Sequence, residues 1–488
     1  MLLKCLDNPE SKTVDVVIAT LPWTDTNTPL MAPAALKPAI EQAGLTSLCT
    51  DLNAEVYNII QHHPNRSKIL DFFFAGTRSD EVNAWINDFV ESAVDQILQW
   101  KPKYIGFSLF TYASRSSCLE FCRRIKQLSP ETKIVVGGAG CLESFAGPGT
   151  FAGELRMLGL IDYHIRGDGE HALYQLLIGN DSYPGINSET WREITNEELQ
   201  QLPFPNYDDY DFSQYEKKLI GIHGSRGCVR ACTFCDYIAN WTKFQWRTAE
   251  NIFEEMQTQY KKYGMRSFKF SDTLTNGNLK EFNKLIRLLA DYNTANPTEK
   301  FYWGGYYIFR EQSVNDDEMW ELIAKSGAAF LVVGIENLNE EIRYHIGKKF
   351  SNASIDYHIA QAKKHKIGML LLFIVGYVTE TAEHIEFSKR WLEEHVEFKD
   401  AFQIHWDQTL AIFPNTYLDN NKDALKIQAG SQPHFWIGIE NGSNHALRSS
   451  WAKELVDKSR ALGYNVLDKV DNHYYLEQKL RAIPVDQK

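Results

Sequence analysis

Cys228, Cys232 and Cys235 lie in the stretch "GCVRACTFCDY" (227–237), spaced C-x3-C-x2-C, with Phe234 directly before the last thiol. Three thiols this close cannot all pair as disulfides. A structural zinc site needs a fourth ligand, usually from a second Cys or His pair, and no such pair follows. His223, just upstream, reads as an ordinary strand residue. Three thiolates without a fourth protein donor suit a cubane iron–sulfur cluster, with one iron left open for another ligand. The other cysteines (Cys5, Cys49, Cys118, Cys122 and Cys141) are scattered and read as small buried hydrophobes, although Cys118 and Cys122 fall four apart on a helical stretch.

A chain of 488 residues calls for two or three domains, and 44% hydrophobic and 13% aromatic residues supply cores for them. The formal charge of -12 argues against a protein that grips a phosphate backbone, so no nucleic acid is expected as a partner. No run of ~18 apolar residues appears, so no membrane span is read. "MLLLFIVGYV" (369–378) has the length of a buried parallel strand. The opening "MLLKCLDNPESKTVDVVIA" meets charge and proline too early for a signal peptide. Cysteines in a chain read as leaderless point to the cytoplasm.

The elements that must position the cysteines fall into two α/β alternations. Residues 1–180 carry the strands "TVDVVIAT", "LTSLCTDL", "KYIGFSL", "KIVVGGAG" and "IDYHIRGDGE", with helices between them. This pitch predicts a doubly wound, Rossmann-like parallel sheet. Residues 181–218, with "DSYPG" and "LPFPNYDDYD", read as a linker. Residues 219–414 resume with "KLIGIHG", "SFKFSD", "KFYWGGY", "AAFLVVGIE", "GMLLLFIVG" and "AFQIHWDQTLAIF". They predict a partial (β/α)6 TIM-like barrel, whose chemistry belongs at the C-terminal strand ends. The cysteine loop follows the first of these strands. Residues 415–488 read as a mostly helical C-terminal extension, in which Phe435, Trp436, Arg448 and Trp451 line a substrate pocket or seal the barrel.

C-x3-C-x2-C with an aromatic before its last cysteine, placed after strand one of a βα barrel, resembles the radical S-adenosylmethionine (SAM) superfamily. The resemblance implies that Cys228, Cys232 and Cys235 hold a [4Fe–4S] cluster whose open iron is chelated by the SAM amino and carboxylate groups. An electron then cleaves the sulfonium C–S bond and releases a 5′-deoxyadenosyl radical. Phe234 would lie over the adenine. Ser271, Asp272 and Thr273 in "FKFSDTLTN" stand where the family contacts the SAM amino group, without its usual glycine-glycine-acid triplet. Glu336 in "VVGIEN" matches the family's contact to the ribose, its plain alternative being a salt-bridged rim carboxylate. Gly376 in "FIVGYVTET" would let backbone approach adenine.

With such a barrel behind it, the first sheet is similar to the cobalamin-binding domain of the B12-dependent radical SAM class. Ser108 in "GFSLFT" and Gly137, Gly138 and Gly140 in "VVGGAG" match that domain's contacts to the nucleotide tail, and "RGDGEHAL" resembles a turn common in the class. Residues 162–167 spell D-x-H-x-x-G, the cobalt-ligating motif of other cobalamin domains, but out of order and inside the last strand. His164 therefore reads as a strand residue, and cobalamin is expected without a histidine ligand from this domain.

The leading expectation is an enzyme in which cobalamin and SAM meet between the two domains. It would transfer a methyl group to an unactivated carbon of a small molecule or peptide and be reduced by a donor such as flavodoxin or ferredoxin. A cyclase or rearrangement enzyme without cobalamin is the alternative, and a non-catalytic iron–sulfur or zinc protein a third. Iron, sulfide and SAM cleavage separate the third from the others; cobalamin retention separates the first two.

Overall fold

Short apolar runs bounded by turn residues become strands, and the helices between them return the chain so that the strands lie parallel. The computed structural model describes residues 1–467 except 9, 25–27, 142–149, 189, 216–217 and 313. Positions 468–488 of the expected C-terminal extension lie outside the described residues. The chain divides into two compact units, Met1–Ile220 and Gly221–Lys488.

The first unit holds β1 (Val16–Thr20), β2 (Ser47–Asp51), β3 (Tyr104–Ser108), β4 (Lys133–Gly137) and β5 (Tyr163–Ile165), in the order β2-β1-β3-β4-β5. Every neighbouring pair is parallel. All of β1 is buried because both sheet faces are covered. Val17, Ile105 and Val136 pack with Phe89, Phe121, Cys118 and Cys122. Val16, Ile18 and Val135 pack with Ile40, Leu173 and Cys49. These cysteines are core residues. His164 is buried within β5, where Val136 pairs with it.

The residues read as a linker are folded onto this unit. Asp209 accepts from Lys37 Nζ and from Cys49 N, the latter at 2.8 Å. Tyr215 Oη donates to Asp51 at 2.9 Å, and Tyr207 is fully buried.

The second sheet is built from β6 (Leu219–Ile222), β7 (Ser267–Phe270), β8 (Tyr302–Tyr307), β9 (Ala328–Glu336), β10 (Gly368–Val375), β11 (Phe402–Thr409) and β12 (Asn465–Val466), which stand in sequence order. The pairs from β7 to β12 are parallel. The last strand comes from the stretch expected to be a helical cap. The helix His445–Ala461 carries the chain back, Ser459 Oγ accepting from Trp406 Nε1 at 2.9 Å, and β12 extends the sheet beyond β11. No helix among the described residues is long and apolar enough to cross a membrane.

Candidate functional site

The cysteine loop leaves β6 through a short strand, Ser225–Arg226, paired antiparallel with Gln245–Trp246, and is further fixed by hydrogen bonds to neighbouring elements. At its start, Gly224 N donates to Asp272 Oδ2 at 2.9 Å, and Ser225 Oγ donates to Asp272 Oδ1. Thr273 Oγ1 donates to Gly227 O at 2.6 Å. Gly227 has φ +77°, and a Cβ there would stand 2.0 Å from Lys243 O, so only glycine fits this turn. Further along, Thr233 N donates to Ile346 O at 3.0 Å, and Thr233 O accepts from Leu418 N at 3.1 Å. Thr233 Oγ1 shares a 2.7 Å hydrogen bond with the buried Tyr377 Oη, which meets His345 Nδ1 at 2.9 Å.

The thiols held this way are free of disulfides. Cys232 is buried among Ile342, Ile346, Ile374 and Tyr377, while Cys228 and Cys235 are half-buried. Arg230 N donates to Cys228 Sγ at 3.4 Å. Burial pushes the Cys232 thiol up to about 11, with Lys348 pulling it back. Such a thiol is a poor free thiolate, but bonding to iron removes the cost of its charge. Among the described residues no three His, Cys, Asp or Glu side chains gather as they would on a single metal ion. In a cubane each thiolate takes its own iron, so the donors need not meet at a point. The residues present fit a cluster.

The other expected SAM-contacting residues fall at the C-terminal ends of the strands, with partners of their own. Asp272 is buried and turned onto the cysteine loop; burial raises its carboxyl to about 6, against the hydrogen bonds from Ser225 and Gly224. Ser271 is exposed, its N–H spent on Ile222 O. Phe234 packs half-buried against the apolar cluster around Cys232. Glu336 ends β9 in the left-handed region, φ +66°, just past a register shift, and its buried carboxylate meets Lys348 Nζ at 3.1 Å. The salt bridge weighed from sequence is present, but buried rather than at a rim.

Gly376, φ +82°, faces protein: a Cβ there would stand 2.1 Å from Arg448 Cδ. Arg448 is fully buried, lies 3.8 Å over the Trp436 ring and donates to His434 O and Trp436 O. Trp436 and Arg448 therefore close the end of β10, whereas Phe435 is exposed. Sequence reasoning missed Lys348, Thr233, Tyr377 and Glu380. The last accepts from Gly376 N and Tyr377 N, and its glutamate spacing after Gly376 was the available signal.

In the first unit, Ser108 and Gly137 lie side by side at the ends of β3 and β4. Gly138 is exposed, yet its missing side chain is required by the chain itself. A Cβ there would stand 2.4 Å from Leu109 O, and one at Gly140 2.5 Å from Thr111 O. These glycines let the loops after β3 and β4 touch backbone to backbone, Gly140 N donating to Leu109 O at 2.8 Å. Phe110 and Tyr112, on the same loop, are 58% and 54% exposed.

Residues 222–392 match the Radical SAM superfamily. A Pyrococcus horikoshii protein named as an uncharacterized methyltransferase is 24% identical over 351 residues, 66% of this chain and 71% of that one. The anaerobic magnesium-protoporphyrin IX monomethyl ester cyclase of Synechocystis sp. is 22% identical over 237 residues, 44% of this chain and 46% of its own length. The chain thus spans less than half of that relative. The radical SAM methyltransferase TsrM of Kitasatospora setae, solved with cobalamin and a [4Fe–4S] cluster bound, shares the fold. Its TM-score is 0.60 at 16% identity, over 94% of this chain and 92% of that one. Residues 222–392 are therefore a radical SAM domain, which makes the chain an enzyme and implies a [4Fe–4S] cluster and SAM.

Proposed function

We propose that this is a cobalamin-dependent radical SAM methyltransferase acting on an unactivated carbon of a small molecule or peptide. The observation that carries the reading is the cysteine loop: free thiols on a clamped turn after the first barrel strand, in a chain that opens with a separate parallel sheet. Cys228, Cys232 and Cys235 are the cluster ligands in this reading. When bound, the cluster and SAM supply the radical that removes a hydrogen atom, and cobalamin supplies the methyl group. Asp272 and Thr273 hold the loop from the β7 side, and Tyr377 holds it through Thr233. Ser271, Glu336 and Gly376 stand at the strand ends where SAM would be bound, and Phe234, on the cysteine loop, would lie over its adenine. Ser108, Gly137, Gly138 and Gly140 would meet the cobalamin tail.

An electron donor of the flavodoxin or ferredoxin kind is needed, and free cysteines suit the cytoplasm. A cyclase or rearrangement is the second reading, favoured by the likeness to a cyclase. Anoxic reconstitution tests the core of both. Cys228→Ala, Cys232→Ala and Cys235→Ala should each lose the cluster absorbance and all SAM cleavage, while Cys118→Ala with Cys122→Ala should keep them. Loss in the latter pair as complete as in the former would overturn the ligand assignment.

A further inference from the structure

Lys348 brings a buried positive charge to the cysteine loop. It follows the helix Glu340–Ile346, whose end is pinned to the loop by the hydrogen bond from Thr233 N to Ile346 O, 3.0 Å. Gly347 passes so closely that a Cβ there would stand 3.6 Å from Cys232 Cα. The backbone of 346–348 therefore runs directly against the loop. Lys348 is only 8% exposed, and its ammonium meets the Glu336 carboxylate at 3.1 Å.

Holding the pair there is costly. Glu336 sits at φ +66°, a conformation that non-glycine residues rarely adopt. Its carboxylate folds back over its own strand, where a Cβ on Gly334 would stand 2.2 Å from Oε1. A buried ion pair seldom stabilises a fold more than apolar residues of the same size. Lys348 follows Gly347, whose missing Cβ would stand 3.3 Å from Ala231 O, so the ion pair is carried on the segment that lies against the cysteine loop.

We propose that Lys348 sets how readily the cluster accepts an electron, and that Glu336 fixes and moderates that charge. The inference rests on the reading of Cys228, Cys232 and Cys235 as cluster ligands. The step is a one-electron reduction by an external low-potential donor, with no bond made or broken and no proton moved. It adds one negative charge to a buried assembly, where charges act over a low dielectric. The ammonium favours the added charge and the carboxylate opposes it. Lys348 acts through the cluster as a positioning residue for charge.

Opposite signs make the test sharp. Wild type, Lys348→Met, Lys348→Arg and Glu336→Gln are reconstituted anoxically, assayed for iron and sulfide, and titrated potentiometrically with dithionite under EPR, without SAM. Lys348→Met should be harder to reduce by about tenfold in the one-electron equilibrium, ~59 mV. Glu336→Gln should move the other way, and Lys348→Arg should stay near wild type. Midpoints in Lys348→Met and Glu336→Gln that match wild type, or that shift in the same direction, overturn the proposal. If Lys348→Met holds no cluster, the upward shift of Glu336→Gln decides alone. Wild type without a cluster would instead overturn the cysteine reading beneath it.

Discussion

Glu380 shows what burial does to a single carboxylate near the site. It takes its hydrogen bonds from Gly376 N, Tyr377 N and Asn337 Nδ2, and burial pushes its carboxyl up to about 7 despite them. The folded chain thus binds this proton more tightly than the unfolded chain does, where a glutamate titrates near ~4.3. The stability tied to the proton is complete below that ordinary value and is lost as pH rises through about 7. Glu380→Gln should start less stable, because an amide cannot accept every one of those bonds. It should also lose less between about pH 5 and about pH 8, by roughly 2–3 kcal/mol at ~1.36 kcal/mol per pKa unit. Parallel melting curves for the two proteins across that range would show that this carboxylate does not carry the dependence. The cysteine triplet was legible because its spacing is local. Lys348 was not, since "GKKF" looks like a solvated turn until the strand ends and the loop enclose it.

The ends of β9 and β10 depend on what covers them. At β10 the cover is Arg448, whose side chain lies where a Gly376 side chain would be. Gly376→Ala should cost about 1–3 kcal/mol through the positive φ alone, and more through collision with Arg448. Arg448→Ala removes that obstacle and also the contact with Trp436. The double variant should therefore melt higher than the sum of the two single losses predicts. Strict additivity in calorimetry would mean that the two residues do not press on each other. The strands of both sheets other than β12 could be read in advance, because each is a short apolar run closed by a turn signal. The two-residue β12 carries no such run, and the sheet claims it only because the helix His445–Ala461 delivers it beside β11. Residues 181–218 read as a linker from their proline and acidic content, yet Tyr207, Asp209 and Tyr215 bind them to the first unit through contacts distant in sequence.

For the whole molecule, the decisive question is whether both units contribute chemistry. A radical SAM domain alone accounts for one use of SAM: cleavage to methionine and, after hydrogen abstraction, 5′-deoxyadenosine. Methyl transfer by way of cobalamin needs a second SAM, which gives up its methyl group and leaves as S-adenosylhomocysteine. A substrate radical is too reactive to wait for a partner that is not already positioned, so the two products should form in step. Anoxic turnovers of protein loaded with cluster and cobalamin, followed by mass spectrometry, should give one of each per methylated product. Gly138→Val separates the units. Its side chain would drive into Leu109 O, 2.4 Å from the Cβ position, and displace the loop that follows Ser108. The variant should keep its iron and sulfide, lose cobalamin, and make 5′-deoxyadenosine without S-adenosylhomocysteine. Wild type loaded with cobalamin that makes only 5′-deoxyadenosine would remove methyl transfer and leave cyclisation or rearrangement. If Gly138→Val kept cobalamin, the β3 and β4 loop edge would not be its seat, because the added side chain cannot fit while that edge stays as it is.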